Sequence, residues 1–247
     1  MGKLLIRADD LGYSEGTNYG IAKSVKEGLI KSVGFMVNMP SSIHGFNLIK
    51  GETVCLGQHT NICIGKPITD PSLIPSITNE VGEFKSSKEY RAAKEDFVVL
   101  DEVILEIEAQ YQRYKEIVGD DPHYFEGHAV ASVNFFKGLE IVAKRHHLKY
   151  IPFSLNPTLI GKTVTYVSMD SMKAEYDPKK SMIEMVNHPH EDGCDVFVCH
   201  PAFLDAYLIK SSSLLWPRPL EVEMLCDKEI IAYVNQSGHS LVTYDDL

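Results

Sequence analysis

A chain of 247 residues with 44% hydrophobic and 23% charged residues has the composition of a globular protein, and its length suits one α/β barrel without requiring a division into domains. No apolar stretch approaches the roughly 18–20 residues that cross a bilayer, so no membrane partner is expected. The formal net charge of −10 disfavours phosphate backbones, which excludes nucleic acid as an expected partner and leaves neutral or cationic small molecules.

The first apolar run, at 3–7, is too short for a secretory signal and is read as a first strand. Further β-prone runs fall at about 32–37, 53–58, 123–127, 149–153, 195–199 and 240–244, separated by stretches that allow helices. Several runs are apolar throughout rather than alternating, as in strands covered on both faces. This rhythm predicts a barrel of seven or eight mostly parallel strands forming a single catalytic domain over 1–247. Ser14 is placed to cap a helix beginning near Glu15, and Gly28 to stop it. From Lys88 to Val118 one long helix is expected, with Val103, Ile104, Ile107, Tyr111 and Tyr114 forming its apolar stripe. The segment 63–87, rich in Pro, Gly, Ser and Thr, follows His59 and is read as a wall or lid over an active site. Five cysteines, an odd number with no C-x-x-C pair, argue against a disulfide framework or structural zinc and favour a reducing compartment, by default the cytoplasm.

Four polar clusters sit directly after apolar runs: Asp9-Asp10, His59, His128 and His200. In a parallel barrel the C-terminal strand ends share one face, so these side chains are expected to converge on a single metal site. Adjacent acids at a strand end can divide labour, one binding metal while its neighbour reaches the bound water; an isolated pair reads more readily as a solvated turn or a helix cap. His59 and His128 with an Asp make a two-histidine, one-carboxylate set that leaves positions open for water and substrate. His200, fixed by Pro201, is a candidate general acid. Cys199 beside it points to the opposite face and is read as packing. Arg218, between prolines, either presents its guanidinium to Asp9 or lies on the surface beside Glu221 or Glu223. His146, His147, His188 and His190 are read as solvated, and His44, His123 and His239 lack a strand-end position.

The segments Arg7-Ala8-Asp9-Asp10-Leu11-Gly12, 32–40, Gly57-Gln58-His59-Thr60-Asn61, Gly65-Lys66-Pro67, Gly127-His128 and Cys199-His200-Pro201-Ala202 together resemble the YdjC family of carbohydrate deacetylases, over about 7–221. That resemblance implies a modified (β/α) TIM-like barrel that uses one divalent ion, magnesium or zinc foremost, to remove N-acetyl groups from amino sugars or short chitooligosaccharides. By motif position it implies Asp10, His59 and His128 as metal ligands, Asp9 as catalytic base, and an acid or substrate-orienting role for His200. A homodimer is a further expectation from the same resemblance. Gln58 and the Glu126-Gly127-His128 context depart from the family pattern, which bears on sugar preference rather than chemistry. Two other readings are a metal-dependent sugar isomerase or aldolase, and a non-catalytic protein binding oligosaccharide through Trp216 and the 63–87 loop.

Overall fold

In chain order the elements are β1 (Lys3–Leu11), α1 (Glu15–Lys26), β2 (Ser32–Phe35), α2 (Ser42–Ile49), β3 (Cys55–Thr60), α3 (Ser87–Ala92), α4 (Leu100–Val118), β4 (Tyr124–Gly127), α5 (Val133–Arg145), β5 (Lys149–Tyr150), β6 (Thr158–Ile160), β7 (Thr163–Ser168), α6 (Pro178–Asn187), β8 (Gly193–Cys199), α7 (Ala206–Ser211), α8 (Pro217–Cys226), α9 (Lys228–Gln236) and β9 (Ser240–Val242). They come from a computed structural model that describes residues 2–247.

The strands form one nine-stranded sheet in the order β5-β4-β3-β2-β1-β8-β7-β6, with β9 added beside β1. Every pairing is parallel except β6 with β7. Among the described residues no ladder joins β5 to β6, so the sheet curls into a half-barrel rather than closing. The C-terminus lies in the gap: Lys149 Nζ on β5 donates to the carbonyls of Tyr244 and Leu247, and Leu247 lies against Gly161 in the β6–β7 turn.

Alternation along β1 decides what faces where. Leu4, Ile6 and Ala8 join Ile21 and Val25 of α1 and Met224 and Leu225 of α8 in the outer core. Leu5 faces inward with Cys55, Tyr124, Val196, Val198 and Tyr244. The same inward face continues upward to Arg7 and Asp9, so the barrel interior becomes charged toward its C-terminal mouth.

Several expectations need correction. The helix expected over 88–118 is two helices, α3 and α4, because the Asp96 carboxylate between them accepts from Val98 N, Ser132 Oγ and Asn134 N and ties this stretch to the start of α5. The anticipated stripe survives on α4, which stops at Gly119 with a left-handed φ of 87°. The β6–β7 hairpin was not anticipated, although its β-branched run 163–167 follows Gly161, at φ 59°. Both strands at 149–153 and 240–244 are shorter than expected, the second because Thr243 caps a 3-10 turn instead.

The 63–87 segment is packed onto α4. Its Ile74, Ile77 and Phe84 are buried against Val103 and Ile107 of α4. Glu106 of α4 accepts from Ile68 N (3.1 Å) and Thr69 N (2.9 Å), and Glu102 from Ser76 N (2.7 Å).

Candidate metal centre

In an extended strand Asp9 and Asp10 would point to opposite faces. The β1–β2 register shifts between Ala8 and Leu11, and Asp10 adopts φ 78°, a left-handed conformation that costs a non-glycine residue about 1–3 kcal/mol. Arg218 of α8 holds it there, Nη2 donating to Asp10 Oδ2 at 2.8 Å. That twist turns Asp10 toward the ends of β3 and β4.

Three donor atoms converge as a result. Asp10 Oδ1 lies 3.3 Å from His59 Nε2 and 3.1 Å from His128 Nδ1, and the two ring nitrogens are 2.9 Å apart. Two imidazole nitrogens and a carboxylate oxygen so spaced are a donor set that would suit a divalent ion bound at roughly 2.0–2.2 Å. None of these contacts gives Asp10 Oδ1 a well-directed hydrogen bond, so a buried carboxylate oxygen is left for a cation to satisfy.

A charged network lies beneath the trio. His59 Nδ1–H donates to Glu126 Oε1 at 2.6 Å, which directs Nε2 toward Asp10 and His128. Glu126 Oε2 is 3.1 Å from Arg7 Nη2, and Arg7 grips both oxygens of Asp9 at 2.7 Å while donating to Tyr244 Oη at 3.0 Å. Arg7 therefore holds Asp9, and Arg218 does not: the expectation for Arg218 is corrected to Asp10. Residues 7 and 9 share a strand face, whereas Arg218 reaches in from the rim. Gly34 on β2 is required by this crowding, since a Cβ there would lie 2.6 Å from Glu126 Oε1 and 3.2 Å from Asp9 Oδ1.

The electrostatics follow. Burial pushes the Asp10 carboxyl up, but Arg218 and His128 overcome it and hold the group well below the usual carboxylate range. Burial works against charge on His59, yet Glu126 and Asp9 raise it to about 10; His128, opposed by burial and favoured by Asp10, rises to about 9. Glu126 is held down by Arg7 and His59 against its burial.

His200 sits at the end of β8 as anticipated. Its backbone N–H donates to Glu221 Oε2 at 2.6 Å, its carbonyl accepts from Arg218 Nη1 at 3.3 Å, and its Nδ1 is 3.4 Å from Ser171 Oγ. Burial pushes the ring down to about 4, only partly opposed by Asp10 and Asp9, so it is neutral at neutral pH. Cys199 is buried packing, its thiol donating to Arg7 O.

The remaining histidines lie outside the site. His146 and His190, expected to be solvated, are paired with Glu108 and Asp195, each at 2.7 Å. His123 donates to Asp245 at 2.7 Å near Cys55, at the opposite end of the barrel. Burial pushes the Cys55 thiol up to about 12, so it stays protonated at neutral pH.

Arg7, Gly34, Glu126 and Glu221 escaped the sequence reading as site residues. For Arg7 and Glu126 a signal existed: each precedes a candidate residue by two, the spacing that shares a strand face.

A family model described as YdjC-like protein matches residues 3–236. A Halalkalibacterium halodurans protein named carbohydrate deacetylase is 32% identical over 229 residues, covering 90% of this chain and 94% of its own. A Proteus mirabilis protein named chitooligosaccharide deacetylase is 29% identical over 259 residues, covering 99% and 98%. Among solved structures, an Enterococcus faecalis protein provisionally named for cellobiose-phosphate cleavage superposes with a TM-score of 0.84 at 22% identity, covering 100% of this chain and 99% of that one, a likeness of fold.

Proposed function

The chain belongs to the YdjC-like family, and from that membership and the geometry of its site we propose that it is a divalent-metal-dependent hydrolase removing acetyl groups from N-acetylated amino sugars, short chitooligosaccharides included. The observation that carries the reading is the convergence of Asp10, His59 and His128 within 3.3 Å beside the Asp9 carboxylate. The whole chain, 1–247, is the catalytic unit in this reading.

Asp10 Oδ1, His59 Nε2 and His128 Nδ1 would hold the ion, which when bound would lower the pKa of a water and polarise the acetamide carbonyl. Two imidazoles in the set suit zinc, manganese or cobalt better than magnesium, which prefers oxygen ligands. Arg218 fixes Asp10, and Glu126 orients His59 by holding its Nδ1–H. Asp9, positioned by Arg7, accepts the proton of the attacking water and returns it to the nitrogen of the departing amine, so that acetate and a free amino sugar leave. His200, neutral at the mouth, hydrogen-bonds and orients the amide. This favours the orienting role over that of a resident acid.

Among the described residues no helix is long and apolar enough to cross a membrane. Free cysteines support a reducing compartment, and we take the cytoplasm as the location and a homodimer as the assembly. The test is acetate release from N-acetylglucosamine and its oligomers with zinc, manganese, cobalt and magnesium in turn. Acetate from at least one pairing is expected. Sugar interconversion without acetate would favour an isomerase, and binding without turnover a carbohydrate-binding protein; either would end the hydrolase reading.

A further inference from the structure

We infer that Glu221 is a positioning residue, which holds the His200 imidazole at the mouth of the site by gripping the main-chain N–H of His200 from α8. Only the kinetic part of its test rests on the hydrolase reading.

The ladder between β1 and β8 ends at the pair Ala8 and Cys199, so His200 lies one residue beyond it. Its peptide groups have no strand partner there and need others. The N-terminal half of α8 supplies both: Glu221 Oε2 accepts the N–H at 2.6 Å and Arg218 Nη1 donates to the carbonyl at 3.3 Å. Residues 218 and 221 are three apart and share a helix face. The same Arg218 fixes Asp10 Oδ2 at 2.8 Å, so one rigid turn sets both a member of the donor trio and the imidazole across the mouth from it.

Glu221 is fully buried, and among the described residues no cation pairs with it. Its other oxygen, Oε1, accepts the Tyr176 hydroxyl at 2.9 Å. A buried carboxyl hydrogen-bonded only to a neutral amide and a phenol is costly to keep, and burial pushes it up to about 7 although the His200 amide, the Tyr176 hydroxyl and the charge of Arg218 pull the other way. Apolar packing would serve α8 better if stability were its task. Tyr176 belongs to the same connection as Ser171, whose Oγ approaches His200 Nδ1 at 3.4 Å. The segment 170–176 and α8 thus cradle residue 200 at its amide, its carbonyl and its ring, while Pro201 restricts its backbone.

The chemistry separates two substitutions of the glutamate. The Glu221→Gln variant would keep an oxygen for the His200 N–H and turn its amide nitrogen toward the Tyr176 oxygen, whereas Glu221→Ala would leave the His200 N–H buried and unpaired.

The experiment compares Glu221→Ala, Glu221→Gln, His200→Ala and the double variant Glu221→Ala/His200→Ala as zinc-loaded full-length protein. Expected for Glu221→Ala are a kcat lowered about tenfold, zinc affinity within about twofold of wild type, and restoration of most of the kcat by Glu221→Gln. In the His200→Ala background the same alanine should cost less than about twofold, because the group it positions is gone. The His200 Hε1 proton resonance, assigned by its loss in His200→Ala, should be one sharp line in wild type and broadened or split in Glu221→Ala. Equal kinetic costs in both backgrounds, or an unaltered His200 resonance in Glu221→Ala, would overturn the assignment. Absence of acetate release by wild type would strike the hydrolase reading alone, and the resonance would still decide the task of Glu221.

Discussion

Raising the pH should tighten metal binding by about tenfold per unit between pH 6 and 8. His59 Nε2 and His128 Nδ1 face each other across 2.9 Å, and two N–H bonds cannot point at one another over that distance. The metal-free pair therefore holds one proton along its shared edge. His59 Nδ1–H, bonded to Glu126, stays in place whether or not an ion is bound. Burial opposes the shared proton, but Glu126 and Asp10 outweigh it, which raises His59 to about 10 and His128 to about 9. The sign follows: an ion would need both lone pairs, so across pH 6 to 8, below both values, it would have to displace that proton, and affinity climbs with pH over that range. One proton corresponds to about 1.4 kcal/mol per pH unit, so the gain from pH 6 to 8 is about 100-fold. Competition with a chelator at pH 6, 7 and 8 measures the slope, and calorimetry in two buffers of different ionisation enthalpy counts the protons released. An affinity constant within threefold across this range, or two protons released, would refute the shared-proton argument.

Asp9→Asn should retain zinc affinity within a few-fold yet lose roughly 10²–10⁴ in kcat, because the neighbour of the ligand is changed and not the ligand; zinc titration beside acetate release separates the two. Glu126→Gln should weaken zinc binding by about 10–100-fold, since an amide holds the His59 Nδ1–H less strongly than a carboxylate and also loses the contact with Arg7, 3.1 Å away; full retention of zinc would show that Glu126 does not orient the ring. Gly34→Ala places a methyl 2.6 Å from Glu126 Oε1, against a side chain already fixed at both oxygens, and should destabilise the protein by about 1–3 kcal/mol in denaturant unfolding while lowering kcat. Unchanged stability and turnover there would mean that the network has slack that the distances deny.

What could be read in the amino-acid order follows from how local each signal is. Asp10, His59 and His128 were legible because a strand end is marked twice, by an apolar run before it and a polar residue after it, and parallel topology brings such ends together whatever their separation in sequence. The pairing of the arginines was not legible in the same way. Arg7 and Asp9 share a face by the period of two, so their contact was available; Arg218 lies 208 residues from its partner Asp10, and no periodicity links a strand end to the first turn of a distant helix. The helix boundary at 93–99 was hidden for a related reason. Its cause is Asp96 reaching Ser132 and Asn134, a tertiary hydrogen-bond set that helix propensity does not contain.

Asp10 joins these two kinds of information. Strand alternation alone would send Asp9 and Asp10 to opposite faces, so a turn is needed for both to reach one site. That turn exists as a φ of 78° on a residue that disfavours it, at a cost of about 1–3 kcal/mol. Gly12, at φ 98°, completes the bend two residues later, and Tyr13 N–H bonds to Asp10 O at 3.0 Å. The strain is sustained from outside β1, by the guanidinium of Arg218 on Oδ2, so the placement of the aspartate depends on α8 being packed. The site and the outer core that carries α8, through Met224 and Leu225, are for that reason a single mechanical unit.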